Sequence, residues 1–166
     1  MDAETIRKLL DITAHAPTGV NVRAVQLTVI DNKETMDAFR DEIYALVESA
    51  LPEEMPADDH SLNVLIFAVK DRKENGSDVI FRGAPHLVIA STPKANPCLD
   101  ADPQIALAYF ELMAQSMGLG TVWDGIFKRA LLSVAPPFGP PRHSRRSFDR
   151  LWHGLRQTRG PIPPHG

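Results

Sequence analysis

Apolar side chains recur at helical spacing from the first residues. Ile6, Leu9, Leu10 and Thr13 share one face of a 3.6-residue period, which predicts a helix opening at Asp2. Asp2 and Glu4 suit the positive end of that helix, and Pro17 and Gly19 stop it. Over residues 24–30 the period changes to two. Val25, Leu27 and Val29 alternate with Ala24, Gln26, Thr28 and Ile30, as in a strand with one buried side. Asp31 and Asn32 then offer an N-cap for a helix to about Ala50, with Met36, Phe39, Ile43, Leu46 and Val47 inward. Residues 51–59 hold two prolines and acidic side chains and read as a solvated loop.

The pattern is less decisive in the second half. Residues 62–69 form a short apolar run that suits a buried strand or a helix segment, and periodicity does not choose between them. Asn75-Gly76 ends that run. Gly83-Ala84-Pro85 marks a turn before the apolar run His86 to Ala90, which reads as a central strand. Asp100 or Asp102 caps a further helix with Pro103 in its first turn. That helix is expected to bury Ile105, Leu107, Ala108, Phe110, Leu112 and Met113 as far as Gly118. Gly120 to Ile126 reads as a short strand or tight turn, and a last short helix follows Phe127. Helices and strands mix without a β-α-β-α rhythm, which predicts an α+β domain.

Composition excludes several classes. The chain has 166 residues, enough for one domain with a real core. No apolar run approaches the roughly 20 residues of a membrane span. The first ten residues mix charge with apolar side chains, unlike a signal peptide. The single cysteine, Cys98, excludes an internal disulfide framework and a cysteine-held cluster of this chain alone, so a reducing cytoplasm is the expected compartment. Cys98 is read as an ordinary residue, away from a helix start that would depress its pKa. The histidines His15, His60, His86 and His143 show no metal-ligand spacing.

The net charge of −3 averages two regimes. Residues 1–133 carry 12 Lys and Arg against 20 Asp and Glu, while residues 134–166 carry six Arg against one acid. The acidic body argues against nucleic acid as a partner. The last 33 residues also hold seven of the 14 prolines. They read as an atypical, poorly ordered tail beside a core of residues 1–133.

Three segments carry candidate chemistry. They are Ala16-Pro17-Thr18-Gly19-Val20-Asn21, then Phe81-Arg82-Gly83-Ala84-Pro85-His86, and the helix from Ile105 that continues as Leu119-Gly120-Thr121-Val122-Trp123-Asp124-Gly125. Each alone is an ordinary stop or turn. In this order and spacing the chain resembles the nitroreductase family of FMN flavoproteins. The first motif, with Arg23 in register, is most similar to the branch fused to a ferredoxin-like module.

The resemblance implies an α+β fold with a mixed, mainly antiparallel sheet flanked by helices. It implies a homodimer that binds FMN across its interface, takes hydride from NAD(P)H, and passes it to a small acceptor such as a nitroaromatic or quinone. Pro17, Thr18, Asn21 and Arg23 are then expected at the cofactor, the first three from the partner subunit. Trp123 is expected beside the flavin ring, with Asp124 and Gly125 presenting backbone N–H groups to its edge. No side chain is required as acid or base, so none is assigned a catalytic role.

Two features of such proteins are not matched. The arginine-rich segment expected ahead of the first helix would end just before Met1, and a Gly-Tyr-Pro strand with a following cation is not found after Pro136. The tail admits three readings: an arginine-rich arm, an extension without a role, or the product of a reading-frame shift. In favour of the last, Arg145 to Gly166 can be encoded by codons whose next frame resembles a nitroreductase C-terminal strand. Loss of phosphate-binding cations, at about 1.5–3 kcal/mol each, would weaken FMN binding. The alternative to an active oxidoreductase is therefore a truncated, non-enzymatic remnant.

Overall fold

The computed structural model describes residues 2–51 and 60–134. The expected loop at 52–59 and all three readings of the tail beyond residue 134 lie outside the described residues. The described chain divides into two compact units, each assembled from two separate stretches of sequence.

The described residues of the first unit are 2–32 and 86–123. This unit holds α1 (Ala3–Thr13), a short 3-10 turn (Gly19–Asn21), β1 (Gln26–Ile30), β2 (Leu87–Ser91) and α4 (Ala101–Ser116). Asp2 caps α1 by accepting a hydrogen bond from the Thr5 N–H at 2.8 Å. That bond satisfies one of the donors a helix start leaves without an intrahelical partner. It also holds the Asp2 carboxyl below the usual carboxylate range. Ile6, Leu9 and Thr13 are buried as the periodicity requires, and the Thr13 hydroxyl donates back to the Leu9 carbonyl at 2.7 Å. α1 packs on α4, and α4 packs on β2.

β1 and β2 pair antiparallel, with Thr28 opposite Ile89 and Ile30 opposite Leu87. Three expectations change here. The strand starts at Gln26 rather than Ala24, because the left-handed backbone of Arg23 delivers the chain late into extended geometry. Its alternation also fades, since Val29 and Ile30 are both buried. β2 is not central among the described residues, where the sheet has two strands and β2 pairs with β1 alone.

The described residues of the second unit are 33–51, 60–85 and 124–134. Its described elements are α2 (Lys33–Ala50), α3 (His60–Asn75) and α5 (Gly125–Val134), packed against one another. The ambiguous run at 62–69 is helical. Leu65 and Ala68 are buried three residues apart, and Phe67 between them faces out. Met36, Phe39, Ile43, Leu46 and Val47 are buried as expected. Phe39, Phe81 and Phe127 form the aromatic centre, with ring centroids 5.1–5.9 Å apart.

Two polar residues join that inward face of α2. Arg40 and Tyr44 are buried, and both reach Asp78 in the segment between α3 and β2. Asp78 accepts from the Arg40 Nε at 2.7 Å and the Tyr44 hydroxyl at 3.1 Å, and also from the Phe81 and Gly83 N–H groups. Arg40 donates further to the Ala84 carbonyl. This network fixes the turn in which Arg82 (φ 53°) and Gly83 (φ 70°) adopt left-handed backbone. Burial is the main influence on Tyr44, and it pushes the phenol above its usual range.

Candidate functional site

The segment between α1 and β1 has an unusual backbone. Val20 (φ 45°), Asn21 (φ 55°) and Arg23 (φ 51°) are all left-handed. For β-branched Val20 this is a rarely occupied region, so the surroundings must hold it. Part of the hold is local. The Arg23 N–H donates to the Thr18 hydroxyl oxygen, and the Arg23 Nε donates to the Asn21 side-chain oxygen, each at 2.9 Å.

The rest of the hold comes from α4. Asp102, 1% exposed in its first turn, accepts from the Gly19 N–H at 2.8 Å through one oxygen. Its other oxygen accepts from the buried Asn96 side-chain amide at 2.9 Å. Asn96 in turn donates to the Thr92 hydroxyl and accepts from the Cys98 N–H. Gly19 is required by space as well. A Cβ there would lie 2.0 Å from the Cys98 Sγ.

Of the two caps expected for α4, Asp100 holds the N-cap position, without a side-chain capping bond, while the Asp102 carboxylate serves the loop. Cys98 lies three residues ahead of α4, and its carbonyl accepts from the Asp102 N–H at 3.0 Å.

Thr18, Asn21 and Arg23 are thus brought together on one turn, with Asn21 and Arg23 exposed. Pro17 precedes them and is also exposed. An exposed guanidinium steadied by its own loop can bind a carboxylate or phosphate through paired N–H donors.

The other expected residues follow α4. Residues 119–124 form neither a strand nor a helix. Trp123 is 51% exposed, and its indole N–H donates to Glu111 at 2.6 Å. Thr121 donates to the same carboxylate at 3.3 Å. Asp124 is half-buried and caps α5, accepting from the Phe127 N–H at 2.8 Å. Burial is the main influence on its carboxyl and pushes it above the usual range. Gly125 opens α5, earlier than the expected start after Phe127, and a Cβ there would meet nothing within 4 Å.

α4 buries less than its composition implies. Ala106 and Ala114 are buried, but Leu112 is 68% exposed and Tyr109 is exposed beside it. Apolar residues run around the whole helix, and it packs on α1 and β2. Among the described residues no group of three metal-ligating side chains gathers, and no helix is long and apolar enough to cross a membrane.

Sequence reasoning missed Asn96, Asp78, Arg40 and Glu111, and it offered Asp102 only as a helix cap. Only Arg40 had a usable signal: it lies four residues after Met36, on the helix face that goes inward.

The architecture is α+β, with helices beside an antiparallel strand pair. The sequence profile of the nitroreductase family matches residues 1–149, so the chain belongs to the nitroreductase family. The match runs past residue 133 into the arginine-rich segment.

Solved structures share the fold at low identity. A nitroreductase with bound FMN from Desulfitobacterium hafniense has a TM-score of 0.60 and 21% identity, covering 91% of this chain and 70% of its own. A nitroreductase with bound FMN from Bacteroides fragilis has a TM-score of 0.57 and 19% identity, covering 84% and 72%. An FMN-dependent nitroreductase from Mycobacterium smegmatis, solved in complex with NADPH, has a TM-score of 0.53 and 13% identity, covering 79% and 70%. No curated protein matches the chain by sequence.

Proposed function

We propose that this chain is an FMN-dependent oxidoreductase. It takes hydride from NADH or NADPH and delivers it to a nitroaromatic, quinone or similar acceptor in two successive half-reactions. The observation that carries this reading is the loop at 17–23. In a member of the nitroreductase family, a left-handed turn displays the exposed Arg23 guanidinium, with Thr18 and Asn21 beside it.

The residues present fit FMN. Arg23 supplies a cation with directional N–H donors for an anionic group, and Asn21 and Thr18 fix its orientation. Trp123 offers a half-exposed aromatic surface for a planar ring, held by Glu111. The Asp124 carboxylate is committed to capping α5, so the main chain at Asp124 and Gly125 is left for the ring edge. The open space at Gly125 lets a ring approach that backbone. Bound FMN supplies the hydride-accepting and hydride-donating chemistry; the chain's own residues bind, orient and exclude water.

A homodimer is part of the same reading. Tyr109, Leu112, Val122 and Trp123 are exposed apolar side chains on and just after α4, a surface that suits a second copy of the chain. The likeness of the first motif to the ferredoxin-fused branch, and a core ending near residue 133, also belong to this proposal. FMN and NADPH in the similar structures support the cofactor and donor classes.

The test is direct. The purified chain is mixed with FMN, then with NADH or NADPH and a nitroaromatic or a quinone, and nucleotide oxidation is followed. Oxidation that needs both chain and FMN is expected. A rate no greater than that of free FMN would contradict the proposal.

A further inference from the structure

We infer that Asp102 is the positioning residue of the cofactor loop: its buried carboxylate holds residues 17–23 in the left-handed shape that presents Thr18, Asn21 and Arg23. This rests on the flavin reading of that loop. Asp102 itself touches no cofactor in this account and acts through the Gly19 N–H.

A carboxylate that is 1% exposed is expensive to bury unless its oxygens are met by donors. Here one oxygen meets the Gly19 N–H and the other meets the Asn96 amide. The first turn of α4, where Asp102 sits, adds the favourable end of the helix dipole. A helix cap would not require this arrangement, because Asp100 holds the cap position. What the carboxylate joins is the loop at 18–23, whose Gly19 is 83 residues from Asp102, to the turn at 92–98.

The geometry also explains why a carboxylate is needed rather than an amide. Both Asp102 oxygens face donors. A carboxamide can accept on one side only, so an amide at position 102 would set one of its own N–H groups against Gly19 or Asn96. A carboxylate at position 96 would relieve that conflict. It would accept from the new amide at 102, from the Thr92 hydroxyl and from the Cys98 N–H, so every donor would again have an acceptor.

The test uses the whole chain, with FMN affinity read by quenching of flavin fluorescence and Gly19 amide exchange read without flavin. Asp102→Asn is expected to weaken FMN binding by about tenfold and to speed Gly19 exchange. Adding Asn96→Asp to Asp102→Asn is expected to restore both. Ala114→Gly, elsewhere on α4, separates stability from positioning: it is expected to lower the melting temperature and leave FMN affinity unchanged.

If Asp102→Asn changes neither affinity nor exchange, or if the double variant is no better than the single one, the inference is overturned. If Asp102→Asn alone does not fold, the double variant decides: wild-type affinity and exchange support the pairing, and their loss removes it. If the wild-type chain binds no FMN, the flavin reading fails. Gly19 exchange in the single and double variants then judges the anchor by itself.

Discussion

Each unit holds a left-handed turn in place with one aspartate, and the two do it differently. In the helical unit, Asp78 faces a buried guanidinium, a phenol and two backbone N–H groups. In the unit that carries the strand pair, Asp102 faces one backbone N–H and one side-chain amide, and its turn remains exposed beyond Gly19. The first turn is bolted to a core by a full ion pair. The second is held at its base by neutral donors while its polar side chains face outward. A turn that must receive a ligand needs a fixed backbone and unspent donors, and the second arrangement supplies both.

The comparison breaks most visibly at Asp78. Asp78→Ala removes the buried one of the two carboxylates that face the Arg40 guanidinium, which is 9% exposed and keeps only the more exposed Asp37. It also leaves the Tyr44 hydroxyl and two backbone N–H groups without their acceptor. Removing one partner of such a buried pair is expected to cost about 3–5 kcal/mol, measured by urea unfolding. A cost well under 1 kcal/mol would mean the pair is no anchor.

The next effect is steric. Gly19→Ala drives a methyl into Cys98 and is expected to cost about 1–3 kcal/mol. Pairing it with Cys98→Ala should recover part of that loss, and no recovery would place the strain elsewhere.

Leu112→Arg puts charge on the exposed apolar side of α4. It is expected to shift the chain from dimer to monomer in light scattering and to leave the melting temperature of dilute protein nearly unchanged. An unaltered dimer would move the interface off this surface.

The smallest effect concerns Asp124. Its carboxyl is raised, chiefly by burial, so the folded state holds that proton more tightly than the unfolded chain does. Stability from this group is therefore full below the usual carboxylate range and falls as pH rises through the raised value. Asp124→Asn keeps an N-cap acceptor and is expected to flatten that part of the stability–pH curve. A curve of unchanged slope would assign the pH dependence to other groups.

Local pattern revealed much of this molecule. The inward faces of α1 and α2, the stop at Pro17 and the turn at Gly83 follow from spacing and turn chemistry over a few residues. The run at 62–69 did not, because eight apolar-rich residues satisfy two periods at once. The exposed side of α4 was hidden for a related reason: an all-round apolar helix gives no sign of which neighbour is missing. The anchoring bonds were beyond local reading, although the inward place of Arg40 was not. Arg40 and Asp78 are 38 residues apart, and Gly19 and Asp102 are 83 apart, so neither bond leaves a periodic trace. Thr18, Asn21 and Arg23 were legible as a motif. The left-handed backbone that joins them was not, since Val20 and Arg23 are not residues that favour it.

The central claim is that this nitroreductase-family chain binds FMN through the turn at 17–23. Equilibrium titration of FMN into wild-type protein and into Arg23→Ala, read by flavin fluorescence, tests it most directly. Saturable binding by the wild type is expected, with an affinity about tenfold lower or worse in the variant. Equal affinity in the two proteins would remove the loop from the site, and no saturable binding by the wild type would contradict the flavin reading itself.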